Sequence, residues 1–220
     1  MSKRLIDVSH EIESGMITYP GLPAPTVSDY LSREASGAHY AGGTSFQIGR
    51  IEMVANTGAY IDAPFHRFAE GIDLAGLPLD RLADVEGLVI DATDRAGPAI
   101  DCDRFEGLEI RGKAVLIRTG WDVHWRTPQY AEDAPFVTRG AAEFLREAAP
   151  ALVGIDSVNI DDKGDGTRPA HTVLLGARIP VVEHLCNLEK LPAAGFRFHC
   201  VPVKFRGVGT FPVRAYAVIE

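Results

Sequence analysis

KAVLIRTGW, residues 113–121, decides the fold. The run from Ala114 to Ile117 is apolar without a break. A strand needs that pattern when both of its faces are buried at the centre of a sheet. Upstream, EGLVIDAT (86–93) reads as a second strand, reached through a short helical turn in LPLDRLADV (77–85). Downstream, TRGAAEFLREAAP (138–150) reads as the best helix of the chain, with Thr138 as N-cap, Glu143 and Arg146 facing outward and Pro150 as the stop. ALVGIDSV (151–158) is another buried strand. In HTVLLGARIPVVEHL (171–185) the alternation recurs, as a helix over 171–175 and a strand over 179–183.

Toward the ends the pattern changes. LIDVSHEI (5–12), FRFHCVPVKF (196–205) and PVRAYAVIE (212–220) alternate as strands do. GMITYPGLPAPTVSDYL (15–31) carries three prolines and two glycines and reads as an irregular excursion. TSFQIGRIEMVA (44–55) reads as a half-buried strand. Strands dominate and a few helices are inserted, so the expectation is an α/β or α+β domain with a mixed sheet, barrel-like in its curl. At 220 residues the chain is expected to form one domain, 1–220.

Composition excludes several classes. Hydrophobic residues are 46% and charged residues 24% of the chain, ordinary values for a globular protein. A formal net charge of −8 argues against a nucleic-acid partner, which wants a basic face. Cys102, Cys186 and Cys200 stand far apart, so neither a disulfide framework nor a thiolate metal site is expected. The N-terminal stretch lacks an apolar signal core, and no run reaches the ~18–20 apolar residues of a membrane span. The chain is therefore expected to be cytoplasmic, with no membrane partner.

The chemistry concentrates in NTGAYIDAPFHRF (56–68). Residues at even spacing in extended backbone project to one face, which would let Asn56, Tyr60, Asp62 and His66 converge on a cleft. Pro64 stiffens the stretch between the acid and the imidazole, and Gly58 allows close backbone approach. A turn-capping Asp with a surface His explains the same letters about as well. Farther on, Glu183 interrupts an apolar run and so needs a partner or a metal. With His171 it makes a plausible ligand pair for zinc or manganese, although a structural salt bridge would satisfy it equally. His184 falls on the opposite face by alternation and is assigned to surface or packing. Asp156 and Asp161 end a buried strand and read as supporting or turn-forming groups. His39, His124 and His199 belong to no constellation. No phosphate loop and no nucleophile elbow is present.

Six stretches taken together resemble one family: DVSHEIESGMITYPGLPAP (7–25), NTGAYIDAPFH (56–66), VLIRTGWDVHW (115–125), LVGIDSVNID (152–161), HTVLLGARIPVVEHLCNLEKL (171–191) and FPVRAYAV (211–218). They are similar to the cyclase family of metal-dependent hydrolases, of the kynurenine formamidase and isatin hydrolase kind. The resemblance implies a swivelling β/β/α-type fold with a mixed, barrel-like central sheet and flanking helices, assembled as a dimer or tetramer. It makes His10 a scaffold residue.

The family's signature loop is HxGTHxDxPxH. Its two metal-binding histidines fall on Asn56 and Tyr60 and its Thr on Ala59, while Gly58, Asp62, Pro64 and His66 match. Its distal His and Glu fall on His171 and Glu183. An Asn carbonyl is a poor zinc ligand, and Tyr coordinates only as phenolate, against an unperturbed pKa of about 10. One metal position is therefore weakened. The resemblance leaves one divalent metal, zinc or manganese, on Asp62, His171 and Glu183.

Three functions are compatible with these residues. The first is a metal-dependent hydrolase of a small amide, lactone or cyclic amide, with His66 as catalytic acid/base. Tyr60 and Asn56 would then hold the substrate or an oxyanion, and Arg67 would meet a substrate carboxylate or, as readily, form a surface salt bridge. The second is a metal-independent acid–base enzyme, a cyclase, dehydratase or isomerase, with Tyr60 as a catalytic acid. The third is a non-catalytic small-molecule binding protein. Tyr19, Phe65 and Trp121 are pocket candidates for which core packing is the first reading.

Overall fold

The computed structural model describes residues 3–220. Nine strands form one mixed sheet. In chain order they are β1 (Arg4–Asp7), β4 (Tyr60–Asp62), β5 (Val85–Asp91), β7 (Ala114–Arg118), β9 (Leu152–Ile155), β10 (Val181–Glu183), β11 (Ala194–His199), β12 (Thr210–Pro212) and β13 (Tyr216–Ile219). Across the sheet they run β1-β13-β11-β5-β7-β9-β10-β4-β12, and the sheet curls into a half-barrel. β5, β7, β9 and β10 are mutually parallel, and antiparallel strands complete both sides. Two short ribbons stand apart, β2 (Thr26–Leu31) with β3 (Ile48–Glu52) and β6 (Ala99–Ile100) with β8 (Phe136–Val137). The helices are α1 (Arg33–Gly37), α2 (Arg139–Ala148) and α3 (Pro169–Gly176). Among the described residues no helix is long and apolar enough to cross a membrane.

The uninterrupted apolar strand β7 sits where its composition requires. Val115 and Ile117 pack with Leu145 and Leu174 under α2 and α3. Ala114 and Leu116 face the other way, into a core with Ile61, Val182 and Phe196. Thr138 caps α2 by accepting from the Ala141 amide, and Ala149 leaves it in a left-handed turn before Pro150.

Two expectations about the excursion need correction. Thr26–Leu31, inside the stretch read as irregular, is a strand. Its partner Ile48–Glu52, read as half-buried, is exposed at every residue. Alternation reports that a strand has an apolar face. It does not report whether the same chain covers that face, and here Val27, Ile48 and Ile51 stay about half exposed or more (49%, 49% and 64%).

Candidate active site

β4 lies between β10 and β12, and its registers assemble the site. Glu183 stands opposite Tyr60, and Thr210 opposite Asp62. Directly opposed residues of antiparallel strands put their side chains on one face within contact distance. Tyr60 Oη accordingly donates to Glu183 Oε2 at 2.7 Å, and Thr210 Oγ1 donates to Asp62 Oδ1. His66 arrives by a different route from the extended spacing read in the sequence. The strand ends at Asp62, and a 3₁₀ turn over Pro64–His66 swings the imidazole back over it. Gly209 makes this turn possible: a Cβ there would lie 2.4 Å from the His66 amide nitrogen. Gly58, at φ +67°, also permits a close approach, to Ile12, 2.8 Å from where a Cβ would sit.

Hydrogen bonds fix the tautomer of His66. The single Thr210 hydroxyl proton goes to Asp62, so Thr210 accepts from His66 Nδ1–H at 2.8 Å. Nε2 is left for the cavity that His66 lines. Asp161 acts similarly on His171. Its carboxylate takes Nδ1–H at 2.6 Å and also accepts from the amides of Ala170 and His171, pinning the first turn of α3. His171 Nε2 then points between Asp62 Oδ2 at 3.4 Å and Glu183 Oε1 at 3.6 Å.

The electrostatics of this cluster favour a cation at Nε2. Burial opposes a charged imidazole, yet Glu183, Asp161 and Asp62 outweigh it and push His171 well above its usual range. Burial raises Asp62, but the His171 hydrogen bond, His66 and Thr210 hold it below the ordinary carboxylate value. Glu183 is pushed up to about 7, chiefly by burial. Burial, then Glu183 and Asp62, push the Tyr60 phenol well above 10.

Two of the three separations that a divalent ion on Asp62, His171 and Glu183 requires are in place. Bonds of about 2.1 Å in a tetrahedral ion separate ligand atoms by about 3.4 Å. That is close to the 3.4 and 3.6 Å between His171 Nε2 and its two carboxylate neighbours. The three residues that place one ligand atom each within 4.8 Å of one another are Asp62, His66 and His171, with His66 where the sequence reading put Glu183. His66 Nδ1 already donates to Thr210, so Nε2 is the nitrogen it has to offer an ion.

Behind Tyr60 a second layer was missed in the sequence. His184, assigned to surface or packing, is wholly buried. Its φ of +57° ends the strand and voids the alternation on which that assignment rested. Tyr130 Oη lies 2.9 Å from His184 Nδ1, and His184 Nε2 lies 3.3 Å from Tyr60 Oη. Burial drops the His184 pKa to about 3, so a neutral chain runs from Tyr130 through His184 and Tyr60 to Glu183. Asp156 is structural: it accepts from the amides of Thr119 and Gly120 and from the Thr119 hydroxyl, tying the end of β7 to β9.

The sequence-derived site residues meet in one cavity of ≈ 250 Å³. Asn56, Tyr60, His66, Arg67, His171 and Glu183 line it, and Asp62 lies beneath them, fully buried. Tyr19 joins the lining, with Asn159 and Arg168, which the sequence did not single out. The readable sign for Arg168 was Pro169, which opens α3 and places its predecessor at the helix start beside His171. Thr210 offered no such sign. Trp121 packs elsewhere, donating to the Tyr130 carbonyl at 3.0 Å. A larger cleft of ≈ 520 Å³, lined by Glu13, Arg126 and Tyr130 among others, holds none of the sequence-derived site residues.

Comparison with known proteins places the chain in a family. The family model Cyclase matches residues 6–162. A kynurenine formamidase of Bacillus cereus is 26% identical over 217 residues, covering 96% of this chain and 95% of that protein. A solved structure described as a potential metal-dependent hydrolase with cyclase activity is 26% identical, with a TM-score of 0.79 over 100% of this chain and 99% of that one. Isatin hydrolase A of Labrenzia aggregata has a TM-score of 0.83 at 23% identity, covering 99% of this chain and 94% of that one, a likeness of fold.

Proposed function

The chain belongs to the cyclase family, and on that premise we propose that it is a metal-dependent hydrolase opening the C–N bond of a small amide, with cyclic amides and lactones as related substrates. The observation that carries this reading is His171 Nε2 held between two buried carboxylates, with its other nitrogen fixed by Asp161. Asp62, His171 and Glu183 would hold one divalent ion, zinc or manganese, since two carboxylates and an imidazole suit either. When bound, such an ion supplies Lewis acidity and lowers the pKa of water toward neutrality.

The chain's own residues do the rest. His66, anchored at Nδ1 by Thr210, presents an unprotonated Nε2 to the cavity, takes a proton there from the attacking water and passes it to the leaving nitrogen as the C–N bond breaks. Tyr60 holds Glu183 in place, and Asn56 beside it donates to the substrate carbonyl oxygen. The buried floor excludes bulk water from the carboxylates. A small-molecule substrate and assembly as a dimer or tetramer belong to the same reading.

One observation favours the metal-independent alternative. Both Glu183 oxygens already accept from protein donors, Oε2 from Tyr60 and Oε1 from the Ile160 amide at 2.6 Å. Elemental analysis of chelator-free protein, paired with assays on formamides, lactones and cyclic amides, separates the two. The expected result is about one ion per chain and turnover lost on chelation. His66→Ala should abolish turnover and keep the ion. Metal-free protein with full activity, unmoved by added Zn²⁺ or Mn²⁺, would sink the metal reading.

A further inference from the structure

Resting on the hydrolase reading, we infer that the substrate carries a carboxylate remote from the bond that is cut, and that Arg67 and Arg168 receive it. The cavity has two chemically distinct ends. Its floor is the buried cluster of His171 and Glu183 over Asp62, and its outer side carries two guanidiniums, with Arg67 exposed and Arg168 partly so. Neither arginine forms an ion pair among the described residues. Elsewhere in this acidic chain Arg104, Arg118 and Arg197 do, with Asp94, Asp91 and Asp84.

What the two guanidiniums touch instead holds them without neutralising them. Arg67 Nε donates to Thr172 Oγ1 at 3.2 Å, which leaves its terminal nitrogens free. Arg168 Nη1 reaches Asn159 Oδ1 at 3.4 Å. That same oxygen accepts from the Asp161 amide at 2.9 Å, so the Asn159 NH₂ is turned to other partners. The outer side of the cavity is therefore a set of donors, two guanidinium forks and an amide. A carboxylate, which only accepts, is the planar group such a fork matches.

Two further facts oppose a merely structural role. Neither guanidinium is among the leading influences on the floor: Asp62 answers to burial, His171, His66 and Thr210, and Glu183 to burial, His171, Asp62, Tyr60 and the Ile160 amide. Arg168 is also held at φ +48°, in the left-handed region, immediately before Pro169. A non-glycine residue kept there costs of the order of 1 kcal/mol, and such conformations gather at ligand sites. Both arginines are tied to the first turn of α3, Arg168 as its cap and Arg67 through Thr172, and that turn also carries His171. One rigid element thus sets the distance between the carboxylate-binding end and the reacting end.

Calorimetric titration with benzoate and its neutral isostere benzamide tests the assignment. Wild-type protein should bind benzoate at least about 10-fold more tightly, since a hydrogen bond to a charged group contributes about 1.5–3 kcal/mol. Arg67→Gln and Arg168→Asn (Asn tolerates the left-handed backbone) should each bring the benzoate-to-benzamide ratio toward one. Equal binding of the two probes by wild type overturns the proposal, as does weakening of both by the same factor in the variants. Hydrolysis of N-formylanthranilate and N-formylaniline is measured in parallel. No turnover of either, with benzoate selectivity intact, refutes the hydrolase reading and supports the carboxylate site. Turnover of both at equal kcat/KM, without benzoate selectivity, does the reverse.

Discussion

Tyr60→Phe deletes a buried hydroxyl that donates to Glu183 Oε2 at 2.7 Å and stands 3.3 Å from His184 Nε2. Glu183 is 1% exposed, so water does not replace the lost donor. Its carboxyl keeps the Ile160 amide at Oε1 and nothing comparable at Oε2. A hydrogen bond to a charged acceptor contributes about 1.5–3 kcal/mol. Burial pushes the Glu183 carboxyl up, which reduces its charge near neutral pH and favours the lower end, about 2 kcal/mol. In a chain of 220 residues that corresponds to a melting temperature lower by about 4–8 °C. The measurement is a double-mutant cycle in urea with chelator present, using Tyr60→Phe, Glu183→Gln and the pair. Chelator keeps metal binding out of the stability. A coupling of about 1 kcal/mol or more is expected, because the neutral amide has less to lose when the phenol goes. Additive costs, within about 0.3–0.5 kcal/mol, would refute the view that the phenol serves Glu183. Tyr130→Phe, which removes a bond between neutral groups to His184 at 2.9 Å, should cost only about 1 kcal/mol.

Three further outcomes follow from the same contacts. Thr210→Val should lower kcat about 10–100-fold with KM little changed, and Thr210→Ser should restore it; ¹⁵N shifts should show the His66 proton leaving Nδ1 only in the Val variant. Asp161→Asn should weaken divalent-ion affinity about 10–100-fold in competition with a chromogenic chelator, because His171 loses the carboxylate that fixes its tautomer. His10 is stacked on Trp125 at 4.0 Å with a buried, unpartnered Nε2, and burial lowers its pKa to about 4. Its folded pKa lies below the unfolded value of about 6.5, so the neutral form's stability is complete above that pH and is lost as the pH falls toward 4. His10→Phe keeps the stack and removes the titration, so urea midpoints should fall less between pH 6.5 and 4 than in wild type; an unchanged slope would contradict the assignment.

Local chemistry made much of the fold legible. β7 needed no partner information, because an unbroken apolar run has few alternatives to a two-faced burial. α2 declared its own ends through Thr138 and Pro150. The ribbon of Thr26–Leu31 and Ile48–Glu52 was harder, because its pairing crosses a long excursion and its exposure depends on what does not lie over it. His184 failed for a different reason: one positive φ at the end of β10 is invisible to a rule that assumes strand alternation continues.

The sequence by itself determined the donor types, the apolar framework and the resemblance that joined residues 56–66 to residues 171–183. Only the tertiary structure decided how they are held. Thr210 stands 144 positions from His66, and it becomes its partner because β12 pairs with β4 in one register. Arg168 faces the cavity because α3 begins there in a left-handed turn. Hydrogen bonds act over about 3 Å of space whatever the separation along the chain, so the candidate ligands could be read as letters, while the groups that orient them, and the two guanidiniums that share their cavity, came from strand register and helix placement.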